Sequence, residues 1–190
     1  METREAILTR RSVRKFTEQR VSREDLEKII EAGIWAPSGT NTQPWYFLAL
    51  TKDEDIDWLL GEMRKFHAEQ KEHLSKRFAD HPETVKETLG FMDTLGGSRT
   101  IILSFMLKED YGVFQQACVQ SVGAAMENML LAATDLGIAS CWVEDVKRVD
   151  AEVHEHFGLE VGPMLGCIVL GYAAREAHVI KRKPGRFEIR

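Results

Sequence analysis

Residues 36–45 read Ala-Pro-Ser-Gly-Thr-Asn-Thr-Gln-Pro-Trp, and the elements on either side of this polar stretch set the fold. Pro37 and Pro44 each fix their own φ angle and keep the preceding residue out of the helical region. The stretch is therefore stiff at both ends and polar in the middle. A connection with so many polar side chains is either a turn capped by its own side chains or a loop that holds a ligand. These residues alone leave both interpretations open.

An amphipathic helix precedes the polar stretch and an apolar strand follows it. Ser22, followed by an acidic residue at the third position, has the sequence of a helix N-cap. Apolar residues then recur at helical spacing up to Ile34, and we expect Gly33 and Pro37 to end this helix. The next run, Trp45–Leu50, is almost entirely apolar, which predicts a central strand buried on both faces.

The remaining pattern predicts one domain spanning residues 1–190. Its other elements are a helix over 3–9, a strand over 100–105, a helix over 111–136, a strand over 138–143, a helix over 147–157 and a strand over 165–171. The helix over 111–136 is apolar around much of its circumference, so we expect a central or interface helix. Residues 53–97 are dense in charged side chains, which predicts a surface excursion of two or three helices that is a candidate lid.

A basic segment follows the first predicted helix. It reads Arg10, Arg11, Ser12, Val13, Arg14, Lys15 and Phe16. The planar guanidinium of arginine can donate two parallel hydrogen bonds to a phosphate, so this segment is a candidate anion site. A solvated basic surface has the same sequence pattern, and both interpretations stand at this point.

Composition and charge exclude several classes of function. With 44% apolar and 29% charged residues, the chain has the composition of a globular domain. A net charge of −5 argues against non-specific nucleic-acid binding, which needs a broad positive potential. The apolar runs are too short for a transmembrane helix, and the charged N-terminal residues predict no signal peptide. We therefore expect a cytoplasmic protein with no nucleic-acid and no membrane partner.

Cysteine and histidine form no recognisable chemical pattern. Cys118, Cys141 and Cys167 are far apart and set among apolar residues, which predicts buried, reduced thiols. No two histidines have metal-ligand spacing on one helical face, so no metal site is predicted. No Ser-His-Asp or Cys-His set is present either, so no side chain is assigned as catalytic.

The basic Arg-Arg-Ser-Val-Arg segment and the polar stretch, in this order and spacing, resemble the FMN-dependent nitroreductase family. The similarity continues in Glu-Asn-Met-Leu-Leu-Ala-Ala-Thr-Asp-Leu-Gly-Ile-Ala-Ser-Cys-Trp over 127–142 and in a terminal Gly-Tyr followed by basic residues 181–183. It covers the chain except for the charged residues 53–97. The resemblance implies an α+β, nitroreductase-like fold with a central, mostly antiparallel sheet flanked by helices. It also implies an intertwined homodimer with two FMN sites at the subunit interface.

The resemblance also assigns roles to matching residues. The positions that would hold the FMN phosphate and ribityl chain are Arg10, Arg11 and Ser12. Arg14 would approach the pyrimidine side of the flavin ring. The C-terminal basic pair Lys181 and Lys183 would close on the phosphate, with Arg182 taking that role if the register differs by one residue.

Two further segments match parts of the family that lie against the flavin ring. The neighbouring subunit would lay the polar stretch against the flavin through Pro37, Ser38, Gly39 and Asn41. The backbone of Ile138 and Ala139 would lie near the ring.

The expected activity is transfer of hydride from NADH or NADPH, through FMN, to a nitroaromatic, a quinone or a related electrophile. No protein nucleophile is needed because the chemistry takes place at flavin N5. The alternatives are a specialised branch of the same fold (flavin reduction, flavin fragmentation or reductive dehalogenation) and a non-catalytic FMN- or nucleotide-binding protein. The expected partners are a second copy of the chain and a small-molecule electron acceptor.

Overall fold

A computed structural model describes residues 1–177, 179 and 181–190 of the chain. The helices and strands, in chain order, are α1 (Thr3–Thr9), α2 (Arg23–Ile34), β1 (Trp45–Leu50), α3 (Asp53–Arg64), α4 (His67–Arg77), α5 (Pro82–Met92), β2 (Thr100–Met106), α6 (Gln115–Asp135), β3 (Ala139–Val143), α7 (Asp150–Phe157) and β4 (Met164–Gly171). Short 3₁₀ turns precede α6 at Gly112–Phe114 and α7 at Asp145–Val149. The two helices predicted over 111–136 and 147–157 therefore start later than their sequence patterns suggested.

The four strands form one antiparallel sheet in the order β1-β2-β4-β3. This confirms the predicted α+β class and its antiparallel sheet. The bounds predicted for β1 are correct, but its predicted central position is wrong because β1 is an edge strand of the described chain. In the described chain β1 is also not fully buried, since Tyr46 is exposed and Phe47, Leu48 and Ala49 are half-buried. The prediction of a strand buried on both faces is therefore wrong as well, because an apolar run alone does not show that other elements cover the strand.

Helices cover both faces of the sheet, and alternate strand residues face alternate layers. In β4, Cys167 and Val169 belong to the core beneath α3, α5 and α7, whereas Ile168 and Leu170 belong to the core beneath α2 and α6. All four of these side chains are fully buried. The three cysteines are also buried and unbridged, as the sequence predicted.

Helices α2 and α6 approach each other closely at Gly33. A Cβ added to Gly33 would lie 2.3 Å from the Cε of Met129. Gly33 is the penultimate residue of α2, which ends at Ile34 just before the polar stretch, as the sequence predicted. The structure adds that Gly33 is also a packing residue. The predicted N-cap is confirmed, since Ser22 Oγ accepts a hydrogen bond from the Asp25 amide at 3.0 Å.

The charged stretch folds as the helices α3, α4 and α5, and the first of them is a core helix. The buried side chains of α3 are Ile56, Leu59, Leu60 and Met63. In α4 the buried residue is Gln70, which donates a hydrogen bond to Asp145 in the turn before α7. Arg148 donates to Asp145 at 2.7 Å and to Glu69 of α4 at 2.8 Å. Helix α5 is a core helix as well, since it buries Val85, Leu89, Phe91 and Met92, so α4 is the part of the stretch that lies mostly on the surface. A role as a lid stays a prediction.

The C-terminal residues after Ala173 contain no helix or strand among those described. Val179, Phe187 and Ile189 are 77%, 86% and 88% exposed. Among the described residues, no helix combines the length and the hydropathy that crossing a bilayer requires.

Candidate functional site

The basic segment Arg10–Phe16 leaves α1 and is fixed by backbone hydrogen bonds to two other parts of the chain. The Val13 amide donates to the Ser140 carbonyl on β3 at 2.9 Å, and the Phe16 amide donates to the Gly96 carbonyl at 2.9 Å. The backbone that carries the arginines is therefore held from both sides.

Gly96 is needed at its position because the basic segment passes directly over it. Its φ is 70°, in the left-handed region that favours glycine. A Cβ at Gly96 would lie 2.7 Å from the Arg14 carbonyl oxygen and 3.1 Å from the Phe16 ring. The turn before β2 thus sets the position of the segment that contains Arg14.

The basic segment lines a cleft of about 280 Å³ together with part of α5 and the C-terminal residues. Its lining consists of Arg10, Arg11, Ser12, Val13, Arg14, Lys15, Glu87, Arg175, Glu176, Ala177 and Arg182. Six of these side chains are cationic and two are carboxylates, so the cleft has a strongly positive potential. We name it the cationic cleft. All the polar residues that the sequence singled out between Arg10 and Arg14 meet here.

The C-terminal contribution to the cationic cleft is Arg182. Lys181 and Lys183 are not among the residues that line it. Which of the three basic residues closes on a phosphate stays a prediction.

A second cleft, of about 440 Å³, lies on the other side of the basic segment. It shares Arg10, Arg11 and Val13 with the cationic cleft and extends to Gly137, Ile138, Ala139 and Ser140. The predicted ring-side residues Ile138 and Ala139 therefore lie next to the predicted phosphate-side residues. We name this space the β3 cleft.

Ser140 is a residue of the β3 cleft that the sequence analysis did not single out. It is 2% exposed, and its Oγ is buried without a hydrogen-bond partner among the described residues. A buried hydroxyl is normally paired, so the unpaired Ser140 oxygen is an exception in the wall of the β3 cleft. The signal in the sequence was a lone polar residue within the apolar strand that follows Gly137.

Different neighbours hold the three arginines. The Nε of Arg10 lies 3.4 Å from a carboxylate oxygen of Glu127 on α6. Arg11 donates to the carbonyl oxygens of Leu8 and Arg10, at 2.7 Å each. The guanidinium carbon of Arg14 lies 5.9 Å from the ring centroid of Phe91 on α5. Neither Glu127 nor Phe91 was predicted to take part, because neither is adjacent to the basic segment in the sequence.

Cys141 lies beneath the site but is not activated for chemistry. Burial raises the pKa of the Cys141 thiol, while the positive charge of Arg14 and a hydrogen bond with Ser12 oppose the shift. A thiol with a raised pKa stays protonated near neutral pH and is a poor nucleophile. Cys141 is therefore not a candidate catalytic nucleophile.

The polar stretch after α2 forms a tight loop with an unusual backbone. Thr40, Asn41 and Gln43 have φ angles of 50°, 58° and 47°. The Ser38 Oγ accepts from the Gln43 amide at 3.0 Å, and the Asn41 side chain accepts from the Gln43 side chain at 3.1 Å. Gly39 packs against the start of α6, where its Cβ position is 3.9 Å from the Cβ of Ala117.

No residue of this loop lines either cleft of the described part of the chain. The predicted loop residues, namely Pro37, Ser38, Gly39 and Asn41, are thus not brought to the basic segment within one copy. Their predicted contact with the flavin of a neighbouring subunit stays a prediction.

The sheet between helical layers, with an arginine-rich cleft beside it, defines an α+β protein with a candidate site for an anionic ligand. The chain belongs to the nitroreductase family, because the sequence model described as the Nitroreductase family matches residues 7–172. Most of the chain lies within this match, including both clefts except for their C-terminal residues.

Individual relatives agree with this assignment. YfhC of Bacillus subtilis (strain 168), which is named as an NAD(P)H nitroreductase, is 26% identical over 185 residues that cover 96% of this chain and 90% of YfhC. A nitroreductase with bound FMN from Bacteroides fragilis is 30% identical, with a TM-score of 0.71 and coverage of 100% and 98%. A BluB-like flavoprotein from Clostridium difficile is 27% identical, with a TM-score of 0.79 and coverage of 97% and 95%.

Proposed function

We propose that this protein is an FMN-dependent oxidoreductase that passes electrons from NADH or NADPH to a nitroaromatic, a quinone or a related electrophile. Membership of the nitroreductase family and the bound FMN of the Bacteroides fragilis relative support the cofactor. The single observation that carries the proposal is the cationic cleft. Its lining gathers the arginines of the basic segment and an arginine of the C-terminal residues around one anion-sized space.

The donors of the cationic cleft fit the phosphate of FMN. A phosphate monoester carries close to two negative charges and accepts several charge-assisted hydrogen bonds. Arg10, Arg11 and Ser12 would hold it from the basic segment, and Arg182 would close on it from the C-terminal side. Glu127 would act through Arg10, since its carboxylate lies 3.4 Å from the Arg10 Nε and restricts that guanidinium.

Arg14 and the residues of the β3 cleft fit the flavin ring of the cofactor. When bound, FMN supplies hydride acceptance and donation at its N5 atom. Arg14 would face the pyrimidine edge, where its positive charge stabilises the negative charge of the reduced flavin. The β3 cleft offers the backbone of Ile138 and Ala139 and the unpartnered hydroxyl of Ser140.

A second copy of the chain would complete the site. In this proposal the partner brings Pro37, Ser38, Gly39 and Asn41 against the flavin. Large exposed apolar side chains flank this loop: Trp35 is 79% exposed, and Val113 and Phe114 before α6 are 91% and 64% exposed. Apolar surface of this kind is typical of a protein interface, which supports the predicted intertwined homodimer. Helices α4 and α5 would then form the lid that selects the acceptor.

Flavin content and anaerobic reduction test this function directly. The purified protein should be yellow, retain about one FMN per chain, and lose its flavin absorbance with NADH or NADPH in the absence of oxygen. Colourless protein that does not take up added FMN would refute the proposal. Yellow protein that neither nucleotide reduces would instead make it a non-catalytic FMN-binding protein.

Replacing arginines tests the assignment of the cationic cleft. Arg10→Ala and Arg14→Ala should each weaken FMN binding by about 1.5–3 kcal/mol, because each removes a charge-assisted contact. Arg23→Ala is the matched control, since Arg23 lies on the exposed surface of α2 and pairs with Glu27 there. Fluorescence titration of the apo proteins with FMN gives the three affinities. If both cleft variants bind FMN with unchanged affinity, the assignment of Arg10 and Arg14 as FMN contacts is wrong.

A specialised branch of the family is the second candidate function. The similarity to a protein named as a BluB-like flavoprotein favours it, because that relative has the higher TM-score of the two structures compared. A screen of the reduced enzyme with nitroaromatics, quinones, free FMN and halogenated aromatics, together with product analysis of the flavin, separates these activities.

A further inference from the structure

The cationic cleft contains more positive charge than the FMN site uses. Lys15 and Arg175 line it in addition to the residues assigned to the phosphate and the ring. They lie beside each other, because the amide of Ala174 donates to the carbonyl of Lys15 at 3.0 Å and so joins the C-terminal residues to the basic segment. Both side chains are exposed, which places them at the rim of the cleft rather than at its base.

Nothing in the described part of the chain neutralises this rim by a direct ion pair. Lys15 and Arg175 take part in none of its salt bridges. The carboxylates that line the same cleft are Glu87 and Glu176. Together with Glu127, which pairs with Arg10, and an FMN phosphate, they balance most of the positive charge of the six cationic residues, and Lys15 and Arg175 are the two cationic residues to which the FMN site assigns no partner.

The charge that the flavin gains on reduction is not placed beside Lys15 and Arg175. In the proposed arrangement that charge develops opposite Arg14, on the pyrimidine edge. Lys15 and Arg175 therefore stay exposed to solvent and without a direct ion pair among the described residues. A cleft of one sign raises the local concentration of counter-ions and their rate of association.

We propose that Lys15 and Arg175 make the enzyme selective for anionic electron acceptors, such as aromatic compounds that carry a carboxylate or a sulfonate. This inference rests on the proposed function and names the substrate class of the same site. The rim would attract the acceptor and would not take part in electron transfer. Its effect should therefore appear in the second-order rate constant for the acceptor and should decrease with ionic strength, because exposed charges are screened by salt.

The test measures the reaction with the acceptor separately from the reaction with NADH or NADPH, because these nucleotides are themselves anions. Enzyme reduced beforehand without oxygen is mixed in a stopped-flow instrument with 4-nitrobenzenesulfonate or with the neutral 4-nitrobenzenesulfonamide, and flavin reoxidation is followed. The measured quantity is the ratio of the two second-order rate constants. Raising the salt concentration from low to well above physiological should lower this ratio by about threefold or more, since the Debye length shrinks from about 30 Å to about 3 Å.

Variants with matched loss of charge complete the test. Lys15→Gln combined with Arg175→Gln should lower the ratio at low salt by about threefold or more and make it insensitive to salt. Lys28→Gln combined with Arg23→Gln removes the same charges from the exposed surface of α2 and should leave the ratio unchanged.

The outcomes separate this inference from the proposed function. A ratio that depends neither on salt in the native protein nor on the rim variant overturns the inference, while turnover of both acceptors leaves the oxidoreductase in place. An equal decrease in the rim and control variants also overturns it, because net charge alone would then explain the preference. A salt-dependent ratio in the native protein that the rim variant leaves unchanged also overturns the inference, because the other cationic residues of the cleft would then cause the preference. If the double variant loses its FMN, Lys15→Gln and Arg175→Gln are measured singly, and an unchanged ratio in both overturns the inference.

Discussion

Gly96 links the fold to the candidate site, and its replacement is the sharpest test of that link. Its φ of 70° lies in a region that L side chains rarely adopt. A Cβ at this position would lie 2.7 Å from the Arg14 carbonyl oxygen and 3.1 Å from the Phe16 ring. Since the nearest atom belongs to the backbone, Gly96→Ala forces the basic segment to shift, and Arg14 shifts with it.

Two costs combine in Gly96→Ala. An alanine in the left-handed region costs about 1–2 kcal/mol. An overpacked contact that the backbone must relieve costs about 1–3 kcal/mol more. We therefore expect the free energy of unfolding of the apo protein to fall by about 2–5 kcal/mol. Gly97→Ala is a close control, because Gly97 has a φ of 79° but its nearest Cβ neighbour is 3.9 Å away, so it incurs the first cost alone.

Urea denaturation of the two apo variants measures the difference, and titration with FMN measures its consequence for the site. Gly96→Ala should unfold at a lower urea concentration than Gly97→Ala. It should also bind FMN at least about tenfold more weakly, which corresponds to the loss of one charge-assisted contact. Equal unfolding midpoints would refute the close approach as the reason for Gly96. Different midpoints with equal FMN affinities would show that the basic segment does not position the cofactor.

Two further predictions concern the hydroxyl of the β3 cleft and the attachment of α4. Ser140→Ala should stabilise the apo protein by about 1–3 kcal/mol, because it removes an unpaired buried hydroxyl, and it should weaken FMN binding in the same titration. Ser104→Ala, which removes another unpaired buried hydroxyl, should stabilise the protein with no change in FMN affinity. Arg148→Gln breaks the ion pair with Glu69 that joins α4 to the turn before α7, so hydrogen exchange of amides 67–77 should become about 2–5-fold faster by mass spectrometry. Lys147→Gln, which breaks an exposed pair, should leave that exchange unchanged.

Local patterns predicted the elements of the fold well, because each of them depends on neighbours in sequence. The N-cap at Ser22 and the strand Trp45–Leu50 appear in the structure where the sequence placed them. What the sequence did not reveal was the arrangement of these elements in space. Whether β1 lies at an edge and whether Gly33 packs against Met129 depend on which elements are neighbours in three dimensions.

The residues of the candidate site were also predicted only where the signal is local in the sequence. The arginines of the basic segment were found because they are consecutive in sequence and have a chemistry that suits phosphate. Glu127 and Ser140 were missed because their importance depends on contacts with a segment more than a hundred residues away. The C-terminal register could not be fixed either. Three consecutive basic residues satisfy the same pattern, and which of them lines the cleft, here Arg182, depends on the path of the chain.

The loop at residues 37–44 gives the strongest reason to propose that two chains together form each flavin site. Residues held in the left-handed region without glycine cost about 1–3 kcal/mol each, and Thr40, Asn41 and Gln43 share this conformation. Hydrogen bonds within the loop fix it in advance, yet none of its residues lines a cleft of its own described chain. A strained, prearranged loop that lines neither cleft of its own described chain fits the proposal that a neighbouring copy uses it. In the proposed dimer each copy would hold the phosphate of one FMN and support the ring of the other, so dimerisation and cofactor binding would stabilise each other.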